Sequence, residues 1–106
     1  MVGIEDFQKL EFIIAQITEV REHSNADRLY VISVDTGSGT RQLVAGIRPS
    51  YAPQELIGRR VVVVNNLQPA TIRGEESQGM ILAASDASGM SIIVPDREVA
   101  LGSRVK

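Results

Sequence analysis

The sequence predicts a single all-β domain folded as a small closed barrel. Short runs of β-branched and aliphatic residues, such as 60–64 and 80–84, alternate with stretches rich in glycine, asparagine, aspartate and serine. This pattern is typical of short strands joined by turns. The run from Leu10 to Arg21 carries apolar side chains on both faces, which indicates a bulge or bend in a strand that serves two sides of a barrel. The length of 106 residues suits one domain.

Turn residues and apolar periodicity place the elements in order. Ile4 and Phe7 stand at helical spacing. Pro53 fits the first position of a helical turn that Gly58 ends, and Pro95 ends the strand before it. The predicted elements are a helical turn (4–9), three strands (10–21, 29–34 and 41–45), a short helix (53–56), a fourth strand (60–64), a fifth strand (80–84), a further short strand (91–94) and a last edge (103–105).

The segment 65–80 separates the fourth strand from the fifth and has no helical period. It contains Pro69, Gly74 and Gly79 among many polar residues, so the prediction is a long ordered loop. Such loops are uncommon in small domains and are often functional. The alternative is a flexible connector, against which the apolar residues of the segment argue because they can attach it to the core.

The basic residues are concentrated in the middle of the chain. The net charge is −2, yet residues 41–74 contain five arginines and a single acid, Glu55. The planar guanidinium group suits phosphate, so a local basic face is one interpretation and an ordinary solvated surface is the other. The chain has no cysteine, which excludes disulfides and thiolate metal sites. It also has no apolar run long enough to span a membrane and no signal segment, which favours a cytoplasmic protein.

Catalysis has little support in the sequence. The single histidine, His23, lies in the polar turn 22–27 without a nucleophile at a suitable spacing, and we expect it to be solvated. The adjacent Glu75 and Glu76 point apart in an extended chain, so we expect solvated charges there as well. We predict a non-enzymatic domain with no cofactor and no metal site.

The central segment carries the motif Asn66-Leu67, Pro69, Arg73-Gly74, Ser77 and Gly79-Met80. Together with the stretches 23–30, 34–35, 41–47 and 53–58, this motif resembles the tRNA-binding domain family, and the resemblance covers roughly residues 7–105. That family includes the C-terminal module of methionyl-tRNA synthetases and stand-alone bacterial tRNA-binding proteins. The resemblance implies a five-stranded OB-fold barrel with a short helix between strands three and four and a C-terminal extension.

The resemblance also implies a function and a site. It implies structure-directed tRNA binding by a homodimer that acts as an accessory, or as a detached C-terminal subunit, of methionyl-tRNA synthetase. In an OB-fold the ligand face lies across strands two and three, between the loops that here span 22–28 and 65–79. The expected tRNA-binding residues are Asn25, Arg28, Arg41, Arg48, Asn66, Arg73, Ser77 and Met80. Asn66 and Ser77 have an alternative role in fixing the loop internally.

Some positions that are often basic in the family are neutral here, which weakens the expected phosphate affinity. They are Ile13, Gln16, Gln68 and the pair Ala70-Thr71. We expect Ile13 to extend an apolar packing surface, such as a subunit interface. The same fold is shared by secretion-associated chaperones, which have an ending similar to residues 95–102. A chaperone-like or protein-interaction homodimer is therefore the alternative function.

Overall fold

The computed structural model describes all residues from 1 to 106 and is built around one curled sheet. Its strand order is β3-β2-β1-β4-β7, and β10 also pairs with β1. Two further hairpins, β5–β6 and β8–β9, lie outside that sheet. The elements are α1 (Ile4–Gln8), β1 (Phe12–Glu22), β2 (Tyr30–Asp35), β3 (Thr40–Ala45), α2 (Pro53–Leu56), β4 (Arg60–Val64), β5 (Ala70–Ile72), β6 (Glu75–Ser77), β7 (Met80–Ile81), β8 (Ala83–Asp86), β9 (Gly89–Ile92) and β10 (Arg104–Val105).

Strand β1 is the strand that both halves of the sheet share. Its first half pairs antiparallel with β4, from Phe12 opposite Val64 to Gln16 opposite Arg60. Its second half pairs with β2 and ends with Glu22 opposite Tyr30. The register shifts between Ile17 and Glu19, which is the irregularity expected from the two apolar faces. This bulge lets one strand turn from one side of the curled sheet to the other.

The core fills the inside of the curled sheet. Alternate residues of β1, β2 and β4 point inward, as the period of two requires, and Ile17, Ile32 and Val63 are fully buried. Ile13 belongs to this core with 4% of its surface exposed. The expectation that Ile13 extends an apolar packing surface between subunits is therefore wrong, because its side chain faces the inside of the barrel.

The all-β class is confirmed, but the ten strands outnumber both the seven predicted from the sequence and the five of the barrel that the resemblance implies. The predicted fifth strand, 80–84, divides at Leu82, because the chain changes its hydrogen-bonding partner there. Residues before Leu82 pair with β4, whereas Ala83 pairs with Ile92 of β9. Helix α2 begins at Pro53 and ends at Leu56, and Gly58 follows it with a φ of 89°.

The segment 65–80 is not a structureless loop, because it contains the β5–β6 hairpin. Ile72 pairs with Glu75, and the two residues between them form the turn. Both turn residues have positive φ, 54° at Arg73 and 93° at Gly74, which is the backbone of the tight turns that suit hairpins. The prediction missed the hairpin because its strands are short and polar and the first turn residue is not the usual asparagine or aspartate.

The curled sheet closes where β3 meets the last residue of β6 and the residue that follows it. The backbone amide of Gln78 donates to the carbonyl of Gln42 at 2.8 Å, and the amide of Val44 donates to the hydroxyl of Ser77 at 3.0 Å. We call this junction the seam. On the opposite side, the C-terminal segment adds to β1, since Gly102 donates to the carbonyl of Ile14 and Ile14 donates to the carbonyl of Ser103. Neither helix has the length and apolarity that crossing a membrane requires.

Candidate nucleic-acid interface

A cleft of about 460 Å³ opens at the end of β1, between the loop that follows this strand and the tip of the β5–β6 hairpin. Three of the residues expected to bind tRNA line it, namely Asn25, Arg28 and Arg73, and the other lining residues are Ala26, Asp27 and Leu29. The structure thus brings together residues that lie 45 or more positions apart in the sequence. We call this feature the arginine cleft.

The two arginines of the cleft have side chains available for a ligand. Both are exposed. The four ion pairs of the structure use Lys9, Arg21, Arg48 and Arg60, so neither Arg28 nor Arg73 forms an ion pair. Asp27 also lines the cleft and brings one acidic group to it. Because a guanidinium group presents several donors in one plane, two free guanidinium groups around one cleft suit a phosphate group.

Arg73 occupies an unusual backbone position at the hairpin tip. It is the single non-glycine residue with positive φ, and that conformation costs an L-residue with a long side chain of the order of 1 kcal/mol. Asparagine would satisfy the same turn with less strain. The turn geometry therefore does not explain an arginine here, and the side chain lines the cleft.

Arg48 does not line the cleft but contacts the loop that forms one of its walls. Its Nη1 donates to the carbonyl of Ala26 at 3.3 Å, and its Nη2 contacts Glu22 Oε2 at 2.9 Å. The carboxylate of Glu22 partly neutralises this charge. The bond to the Ala26 carbonyl fixes the loop that carries Asn25 and Arg28. The ion pair with Glu22 makes Arg48 a weaker partner for a ligand than an unpaired arginine would be.

The other expected site residues lie away from the cleft. Arg41 donates to the carbonyl of Gln78 at 3.0 Å, and Ser77 is buried with 4% of its surface exposed, so both belong to the seam. Asn66 attaches the start of the 65–80 segment to the region before β1. Its Oδ1 accepts from the amide of Glu11 at 2.8 Å and its Nδ2 donates to the carbonyl of Lys9 at 2.7 Å. Met80 is 47% exposed on β7, opposite Val64.

His23 is buried with 3% of its surface exposed, so the expectation of a solvated histidine is wrong. The backbone amide of Asn25 donates to Nδ1 at 2.9 Å, and Nε2 lies 3.1 Å from the carbonyl oxygen of Ile72. These two bonds fill both ring nitrogens, so the ring gains partners as it loses water. The position of His23 two residues before Asn25 in a polar turn could have indicated the bond to the Asn25 amide. Nothing in the local sequence indicates the bond to the carbonyl of Ile72.

Glu75, which was expected to be a solvated charge, forms an ion pair. The guanidinium of Arg21 donates to Glu75 Oε1 at 3.0 Å. This hydrogen bond, reinforced by the opposite charges, lowers the pKa of Glu75 and raises the pKa of Arg21. The pair attaches β6 to the end of β1, so Glu75 is not the freely solvated charge that the sequence suggests.

Comparisons with known proteins show the family to which this fold and sequence are similar. A family model described as putative tRNA binding domain matches residues 12–104. A methionine–tRNA ligase of Thermococcus kodakarensis is 50% identical over 105 residues, which make up 99% of this chain and 14% of the ligase. The chain therefore spans a small part of the length of such curated relatives.

Solved structures show the same fold over the whole chain. A methionyl-tRNA synthetase related protein from Pyrococcus horikoshii superposes with a TM-score of 0.93 at 30% identity, covering 100% of this chain and 98% of the other. The CsaA chaperone protein from Picrophilus torridus superposes with a TM-score of 0.94 at 26% identity, covering 100% of both chains. The family model matches most of this chain, so the chain belongs to the putative tRNA binding domain family.

Proposed function

We propose that this domain binds tRNA without catalysing a reaction and that the arginine cleft is a principal contact with the phosphate backbone. The observation that carries the proposal is the presence of two exposed arginines, Arg28 and Arg73, which line one cleft with a single acid, Asp27, and form no ion pair. Phosphate contacts supply most of the sequence-independent affinity for nucleic acids. The net charge of −2 makes a local site more important than the overall field.

The aromatic residues favour recognition of folded RNA over single-stranded bases. Tyr30 is 3% exposed and its hydroxyl donates to the carbonyl of Tyr51 at 2.6 Å. The hydroxyl of Tyr51 accepts from the amide of Ile92 at 3.1 Å, and Phe7 stacks on Phe12 with ring centroids 5.4 Å apart. The two tyrosines and Phe12 are thus engaged within the protein, and Phe7 alone is exposed. The chain therefore lacks the series of aromatic platforms on which successive bases would stack. Contacts to phosphate and to the shape of tRNA suit this surface.

The relatives suggest the biological setting. Because the chain is 50% identical over 105 residues to part of a Thermococcus kodakarensis methionine–tRNA ligase, we propose that it acts with methionyl-tRNA synthetase in the cytoplasm, as an accessory or as a detached C-terminal subunit of that enzyme. A homodimer would carry two arginine clefts on one body, so binding at one cleft would raise the effective concentration of the tRNA at the other.

The test is a titration of unfractionated tRNA at several salt concentrations with three variants of equal charge change. Arg28→Gln and Arg73→Gln should each raise the Kd by about three- to ten-fold and reduce the salt slope by about one. Arg104→Gln is the matched control. Arg104 is exposed and lies opposite Ile13 near the start of β1. The cleft lies at the other end of that strand, about 30 Å away along the strand at roughly 3.3 Å per residue. The Kd of Arg104→Gln should stay within about two-fold of wild type.

Two outcomes would count against the proposal. An absence of binding by the wild type at low salt would exclude the function itself. An equal loss in all three variants would instead exclude the arginine cleft as the contact surface, because a diffuse charge effect would then explain the data.

A chaperone-like homodimer is the second candidate, because the fold matches the CsaA chaperone of Picrophilus torridus along its full length. Apolar side chains remain exposed on this chain, including Ile4 at 62%, Phe7 at 41% and Val94 at 41%, and exposed apolar surface is what an unfolded client would contact. Suppression of the thermal aggregation of a reference enzyme, without any affinity for tRNA, would favour this candidate over the first.

A further inference from the structure

The geometry points to His23 as a positioning residue that holds the two walls of the arginine cleft together. One wall is the loop that carries Asn25 and Arg28, and the other is the tip of the β5–β6 hairpin, which carries Arg73. The inference rests on the proposed function, since it states how the tRNA-contacting arginines are held in register. His23 itself is not a contact residue, because 3% of its surface is exposed.

The two nitrogens of the ring bond to different walls. Nδ1 accepts from the amide of Asn25 at 2.9 Å, which bonds the ring to its own loop. Nε2 lies 3.1 Å from the carbonyl oxygen of Ile72 on β5. Ile72 directly precedes Arg73, so this second bond fixes the hairpin at the residue before the cleft arginine.

The partners also determine the tautomer of the ring. The Asn25 amide is a donor, so Nδ1 must be an acceptor, and the Ile72 carbonyl is an acceptor, so Nε2 must carry the hydrogen. The tautomer with hydrogen on Nε2 is therefore the form that connects the walls.

A second link acts on the opposite strand of the hairpin. Ile72 and Glu75 are the paired residues that flank the turn. His23 holds Ile72, and Arg21, two residues earlier on β1, holds Glu75 through the ion pair at 3.0 Å. Both strands are thus attached immediately before and after Arg73-Gly74. Because the ion pair is solvent-exposed and weakened by salt, we assign the larger share of the positioning to the buried His23 bond.

Two substitutions separate the two bonds. In His23→Gln, the terminal amide nitrogen takes the place of Nε2 and can still donate to the Ile72 carbonyl. In His23→Asn, the side-chain oxygen takes the place of Nδ1 and can still accept from Asn25, but the side chain is too short to reach the hairpin. We expect the Kd for tRNA to rise by about five-fold or more in His23→Asn and by less than about two-fold in His23→Gln, after correction for the folded fraction. In His23→Asn, adding Arg73→Gln should cause little further loss.

A readout without tRNA tests the same bond independently. Backbone amides of the hairpin should exchange hydrogen faster in His23→Asn than in His23→Gln or wild type. In the wild type, ring nitrogen NMR shifts should show the proton on Nε2, which requires no variant to fold. Equal affinities and equal hairpin exchange in the two variants, or a proton on Nδ1, would overturn the inference. If the wild type binds no tRNA, the proposed function fails, and the exchange and NMR results alone decide whether His23 holds the hairpin.

Discussion

The hydroxyl of Ser77 accepts a hydrogen bond from the backbone amide of Val44 at 3.0 Å and donates one to the carbonyl of Gly79 at 2.9 Å. A side chain therefore takes the place of a strand in satisfying the free edge of β3. Edge amides that lack a partner are costly when buried. The serine of the central motif thus closes the barrel, which is the internal role that the sequence left open for it.

Replacing Ser77 by alanine should destabilise the fold. The change leaves the Val44 amide and the Gly79 carbonyl without their partner at a buried position, so we expect a loss of about 1–3 kcal/mol in the free energy of unfolding. Urea denaturation measures it. Ser91→Ala is the control, because Ser91 is exposed on β9. Equal stabilities of the two variants would contradict a structural role for the Ser77 hydroxyl.

Gly79→Ala should also weaken the seam, for a steric reason. A Cβ at residue 79 would lie 2.8 Å from the carbonyl oxygen of Val64 and 3.1 Å from Leu43 Cδ2. Backbone cannot yield easily, so we expect a loss of about 1–3 kcal/mol from overpacking. Gly46→Ala provides the comparison, because its nearest new neighbour is Leu29 Cδ2 at 3.8 Å, and it should be neutral or slightly stabilising. Thermal unfolding of both variants measures the difference. Equal stabilities of Gly79→Ala and Gly46→Ala would contradict the steric explanation.

The elements predicted most accurately are those that a few local residues define. Helix α2 was expected over 53–56 and is found there, because Pro53 starts it and Gly58 permits the turn after it. Strand β4 was expected over 60–64 and matches, because four consecutive valines can form a buried strand with little ambiguity. Local chemistry was sufficient in both cases.

The candidate site was less predictable, because the role of a polar residue depends on distant partners. Arg28, Arg48 and Arg73 look alike in the sequence, yet only Arg48 is paired, with Glu22 and with a carbonyl of the loop. His23 and Ile72 are 49 residues apart, and no local pattern links them. The sequence could therefore identify residues near the cleft. It could not distinguish the arginines that line the cleft, Arg28 and Arg73, from Arg48, which stabilises its loop.

The Arg21–Glu75 pair should make stability depend on pH in the acid range. Because Arg21 lowers the pKa of Glu75 below its ordinary value of 4.5, the unfolded chain takes up a proton before the folded one does as pH falls. The stabilisation is therefore present above pH 4.5 and disappears as pH falls through the lower folded-state pKa. Glu75→Gln should lower Tm relative to wild type at pH 7, and the difference should vanish in strong acid. A difference that persists there would mean that the pair acts by packing and not by charge.

Arg73→Asn should separate stability from binding. Asparagine tolerates the positive φ of 54° better than arginine, so the free energy of unfolding should rise by about 0.5–1 kcal/mol as the turn loses strain. The same change removes a guanidinium from the cleft, so affinity for tRNA should fall by several-fold and the salt slope by about one. Arg73→Lys is the control that keeps the charge and the strain, and it should lose less affinity and gain no stability. A variant that gained stability and kept wild-type affinity would show that Arg73 is merely a turn residue.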